Sequence, residues 1–476
     1  MKVDRNIIIS LLFYVLAIVL SYASYYKFAI IILVFASVIS LVAVKKIFGG
    51  YSNIVMLFVF FSILYGLSGP ISVAFGEGLD DIFGYDFEYK TYLIVYALSQ
   101  IFLLVSIFFF YQNRKSVKSV VTDDNIDLFL INRNRFVNSS ILLMLLGTIF
   151  KLVNLYRIGG VSMLFTRKAL YQAAESSLSL TLPGNEIILL SFVCFGLYIS
   201  CCKKINIRLN YFKCIMILII YIPIFIITLL LGQRGPLLEI LLVLFLSIYN
   251  FDSLTSVKIK TVITVFIIYI LLVFIYANRS LVPLLKTNPD LFFERIFDSK
   301  RIIDVINPSS NEFGCTYGNF NKYIISGDNA RLYGRSYIVG LTLPIPSFLY
   351  PGDKPLQITY QFRNTYFPIM ISRSRIASTG FSSLLEAYWN FGMFGVMFMY
   401  FIYGLLICKL NSILEKKKMF SSMLVIYISV FVISFSRTQL GGVINEIVYG
   451  MIYFTIFIYL PYSLKKIKNK EYRDEK

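Results

Sequence analysis

The sequence predicts an all-α integral membrane protein of about 12 transmembrane helices, with both termini cytoplasmic and one large, mostly helical extracytoplasmic loop. Three observations predict it. Hydrophobic residues make up 58% of the 476 and charged residues 15%, too few charges to solvate a water-soluble chain of this length. Apolar runs long enough to cross about 30 Å of hydrocarbon recur along nearly the whole chain. The charges lie between those runs, with basic residues gathered in alternate connections.

Spans are read near residues 6–24, 28–44, 54–75, 91–111, 136–155, 186–202, 214–232, 236–250, 261–277, 384–408, 420–436 and 443–462. The first follows Lys2 and Arg5 with no small-residue cleavage site behind it, so it reads as a retained span. The eighth is short and needs its neighbours or a thin local bilayer. Three regions result: residues 1–277 with nine spans, the loop 278–383, and residues 384–476 with three spans and a basic tail.

Loop charge orients the spans. With the N-terminus inside, the inner segments hold 25 basic and 9 acidic residues (+16) and the outer ones 20 and 17 (+3), which together give the net +19. The inner basic residues are 19 Lys and 6 Arg, the outer ones 8 Lys and 12 Arg. Lysine suffices for a topology signal, whereas arginine grips phosphate or carboxylate through a planar fork of donors. The outer arginines therefore either pair with loop acids or recognise an anion. Nucleic acid is not expected as a partner, because the basic loops are short and lack aromatics arranged along a groove.

Absences narrow the chemistry. The chain has no histidine, which removes His general acid/base work, Ser-His triads and His-ligated zinc. Of six cysteines only Cys315 falls in the large loop, so no disulfide framework is expected there. No metal-ligand cluster and no cofactor site is apparent.

Four places carry candidate chemistry. Residues 232–239, GQRGPLLE, form a tight outer hairpin in which Arg234 stands beside the exposed N–H groups and positive dipole end of the next helix, a plausible diphosphate cradle. Glu239 just inside the membrane would neutralise an arginine. Residues 436–446, SRTQLGGVINE, repeat the arrangement with Arg437, Gly441, Gly442 and Glu446. The large loop holds Arg279, Arg301, Arg335 and Arg375 among its eight arginines, interleaved with tyrosines and phenylalanines that suit sugar rings as well as they suit a small core. Its Asn288-Pro289-Asp290 reads as the start of a helix reaching about Ile306. At the re-entry into the membrane, Glu386 lies one turn inside a span beside Trp389, where a carboxylate is costly. Without histidine, Asp298, Asp304, Glu312 and Glu386 are the candidate bases for a hydroxyl nucleophile.

These segments resemble a family. The GQRG hairpin, the outer loop RIGGVSMLF from Arg157, the stretch SFLYPGDKP and the re-entry S-x-x-E-A-Y-W-N-F-G-x-x-G are similar to those of Wzy-type O-antigen polymerases, over roughly residues 150–445. The resemblance implies a GT-C-like glycosyltransferase of the bacterial plasma membrane. Such an enzyme takes oligosaccharide units on undecaprenyl diphosphate and joins them by block transfer on the outer face, with no cofactor. It implies a flippase and a polysaccharide co-polymerase as partners. Functional arginines carry over to Arg234 first, then to Arg157 and Arg437. The catalytic expectation is Arg234, Glu386 and Asp298, with Arg157, Arg279, Arg301, Arg335, Arg375 and Arg437 binding the diphosphate or substrate. A flippase would show short loops and charges lining the bundle interior, and an O-antigen ligase a loop histidine; the sequence shows nearly charge-free spans, one loop of over a hundred residues and no histidine.

Overall fold

The computed structural model describes residues 5–76, 86–113, 130–165, 182–231, 235–249, 281–296, 312–327, 330–346, 349–368 and 380–462, with residues 267, 274 and 278. Among these residues the chain is helical, with no strand. Local signals start and stop the helices. Asn53 caps the third by accepting from the Met56 N–H at 2.6 Å, Asn210 caps the seventh through Lys213, and Gly49 closes the second in a left-handed conformation.

The first seven helices are α1 (Arg5–Tyr22), α2 (Tyr26–Phe48), α3 (Ile54–Ala74), α4 (Tyr89–Asn113), α5 (Arg133–Arg157), α6 (Gly184–Lys204) and α7 (Tyr211–Leu230). They are followed by α8 (Gly235–Ile248), the loop helices α9 (Pro289–Arg295), α10 (Glu312–Ile325), α11 (Arg335–Thr342) and α12 (Ile358–Tyr366), then α13 (Ser383–Glu415), α14 (Met419–Ser434) and α15 (Leu440–Phe454). Among the described residues ten helical segments are long and apolar enough to cross a membrane: α1–α7, α13, α14 continued through its 3₁₀ turn to Arg437, and α15 continued to Tyr462. The predicted eighth span is the 14-residue α8, which rises only about 21 Å and falls short of a bilayer. The predicted ninth, 261–277, lies almost wholly outside the described residues.

Small and hydroxylated residues let the helices close on one another. In the α1–α2 hairpin the Ser10 and Ser40 hydroxyls meet at 2.6 Å, and Tyr14 reaches Ser37 at 3.2 Å. Between α5 and α6, a Cβ on Gly184 would stand 3.0 Å from the Gly147 carbonyl, so the pair admits close backbone approach. Asn154 clasps the start of α6: its amide donates to the Leu182 carbonyl at 2.8 Å and its carbonyl accepts the Leu182 N–H at 3.1 Å.

The two ends of the bundle differ in kind. At one end α3 begins beside Asn411, whose side chain accepts the Ile54 N–H at 3.2 Å, and Lys45, Lys46, Lys203, Lys204 and Lys416 gather in the turns of that end. At the other end α3 and α4 meet the large loop. Thr316 of α10 donates to the Tyr65 carbonyl at 2.6 Å, and Tyr92 packs edge-on to both Tyr317 and Phe320. The loop is thus wedged into the bundle.

That wedge decides the role of the loop aromatics. Tyr317, Phe320, Tyr323, Phe362 and Tyr366 are buried core, while Tyr333 is 78% exposed and Tyr360 is also exposed. Burial pushes the Tyr317 hydroxyl far above its ordinary pKa. The predicted helix from Asn288 starts as expected, with the Asn288 side chain accepting the Leu291 N–H at 3.1 Å. Its described part ends at Arg295, and the remainder to Ile306 lies outside the described residues.

Helix α13 is longer than predicted and broken. Phe391 and Gly392 leave helical geometry, with Gly392 at φ 65°. Only glycine adopts that conformation cheaply. The break frees the carbonyls of Trp389 and Asn390, and the N–H groups of Leu332 and Tyr333 donate to them at 3.1 and 3.2 Å.

Candidate functional site

The loop end of the bundle holds a cavity of about 390 Å³. Three helix N-termini and one turn build it. Helix α6 contributes Asn185 and Glu186, α8 contributes Pro236 and Glu239, the turn after α14 contributes Arg437 and Thr438, and α15 contributes Gly442 and Glu446. Each element ends here for a local reason. Pro183 and Gly184 open α6, Pro236 occupies the first turn of α8, and a 3₁₀ turn over Phe435–Arg437 reverses the chain into α15. Helix N-termini carry partial positive charge, which suits both the carboxylates present and an anionic ligand.

The electrostatics are uneven. Glu239 lies within reach of the charges of Arg437 and Glu186, and Glu446 within reach of Glu186 and Glu239. Phe431 lines the wall. One turn deeper, Tyr427 packs its ring against Gly450, and its hydroxyl is buried without a hydrogen-bond partner among the described residues. Among the described residues, no group of three or more Cys, Asp or Glu side chains is arranged to hold a metal ion.

The two hairpins singled out separately in the sequence converge on this cavity. Arg437 lines it directly; Arg234 lies outside the described residues, two positions before Pro236, which lines it too. Arg157, the last residue of α5, is exposed and does not line the cavity. Arg335 opens α11 and is exposed, also away from the cavity. Asp298, Asp304, Arg279, Arg301 and Arg375 lie outside the described residues.

Glu386 stands apart from the cavity. It is 0% exposed, and both carboxylate oxygens are engaged, one by the Ser336 hydroxyl at 2.8 Å and the other by the Leu440 N–H at 2.7 Å. Glu186 and Asn185 escaped the sequence reading. The available signal was Pro-Gly-Asn-Glu at the head of a span, an acid at an outward helix start facing two other hairpins that only the fold brings near.

The sequence profile of O-antigen polysaccharide polymerase Wzy matches residues 5–469, nearly the whole chain. No curated protein and no solved structure matches the chain. A multi-pass helical bundle, a loop wedged into one of its ends and a match over that length lead to one conclusion: the chain belongs to the Wzy family of O-antigen polysaccharide polymerases.

Proposed function

We propose that the chain polymerises oligosaccharide repeat units carried on undecaprenyl diphosphate, by block transfer at the loop end of the bundle. That end faces outward from the bacterial plasma membrane, and both termini are cytoplasmic. The supporting observation is the convergence of Arg437 with Glu186, Glu239 and Glu446 in one cavity at the loop end.

An acceptor hydroxyl attacks the anomeric carbon of the donor glycan, a new C–O bond forms, and the bond to the lipid diphosphate breaks with its electron pair going to the leaving oxygen. Arg437, and Arg234 before Pro236, stabilise the charge that grows on that oxygen. Glu446, whose charged neighbours are Glu186 and Glu239, accepts the hydroxyl proton, while Glu239 offsets Arg437. Arg157, Arg279, Arg301, Arg335 and Arg375 serve to guide the anionic substrate toward the cavity. Each Glu386 oxygen already accepts one hydrogen bond within the protein, which suits it to holding the Leu440 turn, and Asp298 is a second base for the acceptor. A flippase supplies the outward-facing units, and a polysaccharide co-polymerase sets product length.

The test is incubation of the purified chain with synthetic undecaprenyl-diphosphate repeat units and no nucleotide sugar. Elongation is the expected result. Product that forms only when nucleotide sugar is added would reject block transfer.

A further inference from the structure

Glu386 belongs to a buried chain of hydrogen bonds that links the outer loop to the cavity turn. Its Oε1 accepts the Ser336 hydroxyl of α11 at 2.8 Å, and its Oε2 accepts the Leu440 N–H at 2.7 Å. Asn390 donates from Nδ2 to the Ser336 Oγ and to the Glu386 carbonyl, both at 2.7 Å, and its Oδ1 accepts the Gly334 N–H at 2.9 Å. Ser336, Glu386 and Asn390 are all buried.

Leu440 is the first residue of α15, where backbone N–H groups have no acceptor within their own helix. A carboxyl oxygen from another helix supplies one. The turn fixed in this way carries Arg437 three residues before Leu440 and Gly442 two residues after it, both in the cavity wall. A second fastening lies beside the first: Gln439 accepts the Thr359 N–H of the outer loop at 3.2 Å.

We infer that Glu386, held by Ser336 and Asn390, is a positioning residue that orients Arg437 by capping Leu440 across helices. The inference rests on the polymerase reading above for its kinetic consequence, while its structural consequence stands alone. A small displacement of a charge-stabilising group costs on the order of 10²-fold in rate, so a buried clamp one turn away is a rate determinant without touching substrate.

The experiment uses the full chain in lipid nanodiscs. Its substrate is the lipid-linked oligosaccharide that accumulates in the source strain when the gene is deleted. Hydrogen exchange over residues 436–444 is followed in Glu386→Ala and Glu386→Gln; the alanine variant exchanges about tenfold faster, and the glutamine variant, which keeps an oxygen for Leu440, stays within about threefold of the parent. Unchanged exchange in Glu386→Ala overturns the clamp. Turnover is then read as a double-mutant cycle: Glu386→Ala lowers kcat roughly tenfold in the parent and under about twofold in an Arg437→Ala background. Equal losses in both backgrounds overturn the route through Arg437. Should Glu386→Ala fail to assemble, Ser336→Ala is read in the same way. If the parent protein elongates nothing, the polymerase reading falls while the exchange data still decide the clamp.

Discussion

Gly340 and Gly441 touch through their backbones: a Cβ added to Gly441 would lie 2.5 Å from the Gly340 Cα, and one added to Gly340 would lie 2.8 Å from the Gly441 Cα. The outer-loop helix α11 and the last membrane helix α15 therefore meet backbone to backbone, one residue from the cavity-lining Gly442. Such contact needs glycine on both sides. Gly441→Ala is expected to push the helices apart and cost about 1–3 kcal/mol of stability, as overpacked sites do. A neighbouring change gives the contrast: a Cβ at Gly442 would meet Thr438 Oγ1 at 3.3 Å, side chain and not backbone. Thermal unfolding in detergent should thus separate Gly441→Ala from Gly442→Ala, and equal melting temperatures would count against the close contact.

Arg437 is the described arginine in the cavity wall. Arg437→Ala is expected to lower polymerisation by on the order of 10²–10³ with unchanged membrane abundance, and Arg437→Lys to recover part of it, since lysine keeps charge but not the fork. Immunoblotting of membranes beside gel analysis of polymer ladders measures both. Full-length ladders from the alanine variant would remove Arg437 from the reaction.

Glu446 and Glu386 make opposite predictions although both are glutamates in membrane helices. Glu446→Gln removes the proposed proton acceptor and should cost about 10²–10⁴ in kcat. Glu386→Gln keeps an oxygen for the Leu440 N–H, although its amide nitrogen cannot accept the Ser336 hydroxyl, and should cost far less. Turnover on a synthetic lipid-linked unit ranks the two variants, and the reverse order would return Glu386 to the role of base.

Asn154 holds Leu182 by two backbone hydrogen bonds, one in each direction. Asn154→Ala leaves a carbonyl and an N–H without those partners and should cost about 1–3 kcal/mol. Asn154→Asp keeps only the acceptor half and should fall between. Chemical or thermal unfolding of the full chain reads the series.

Tyr317 tests whether the loop aromatics are core or sugar platform. Its ring is fully buried, and its hydroxyl has no hydrogen-bond partner among the described residues. Removing that hydroxyl in Tyr317→Phe should be neutral or stabilising by up to about 1 kcal/mol, whereas Tyr317→Ala should cost about 3–5 kcal/mol. A selective loss of substrate affinity in Tyr317→Phe, with stability unchanged, would argue for a sugar contact instead.

Much of this protein was legible in its residues alone. Apolar runs of bilayer length located nine of the ten long helices and the short α8 to within a few positions, and the start of α13 though not its end, because the cost of an unpaired backbone in hydrocarbon leaves few alternatives. The quoted segments around Arg157, Arg234 and Glu386 pointed to the Wzy family before any geometry, and the profile match over residues 5–469 agrees. The tertiary structure decided what no periodicity encodes. It joined the hairpins at Pro236 and Arg437 with Glu186 in one cavity, though they stand far apart in the chain. It sank Tyr317 and Phe320 into the bundle, and it gave the buried Glu386 a backbone partner 54 residues away. The reason is physical. A span is specified by local transfer free energy, which a sequence window contains. A cavity or an inter-helix cap depends on which helix ends become neighbours, and packing settles that only when the whole chain is assembled.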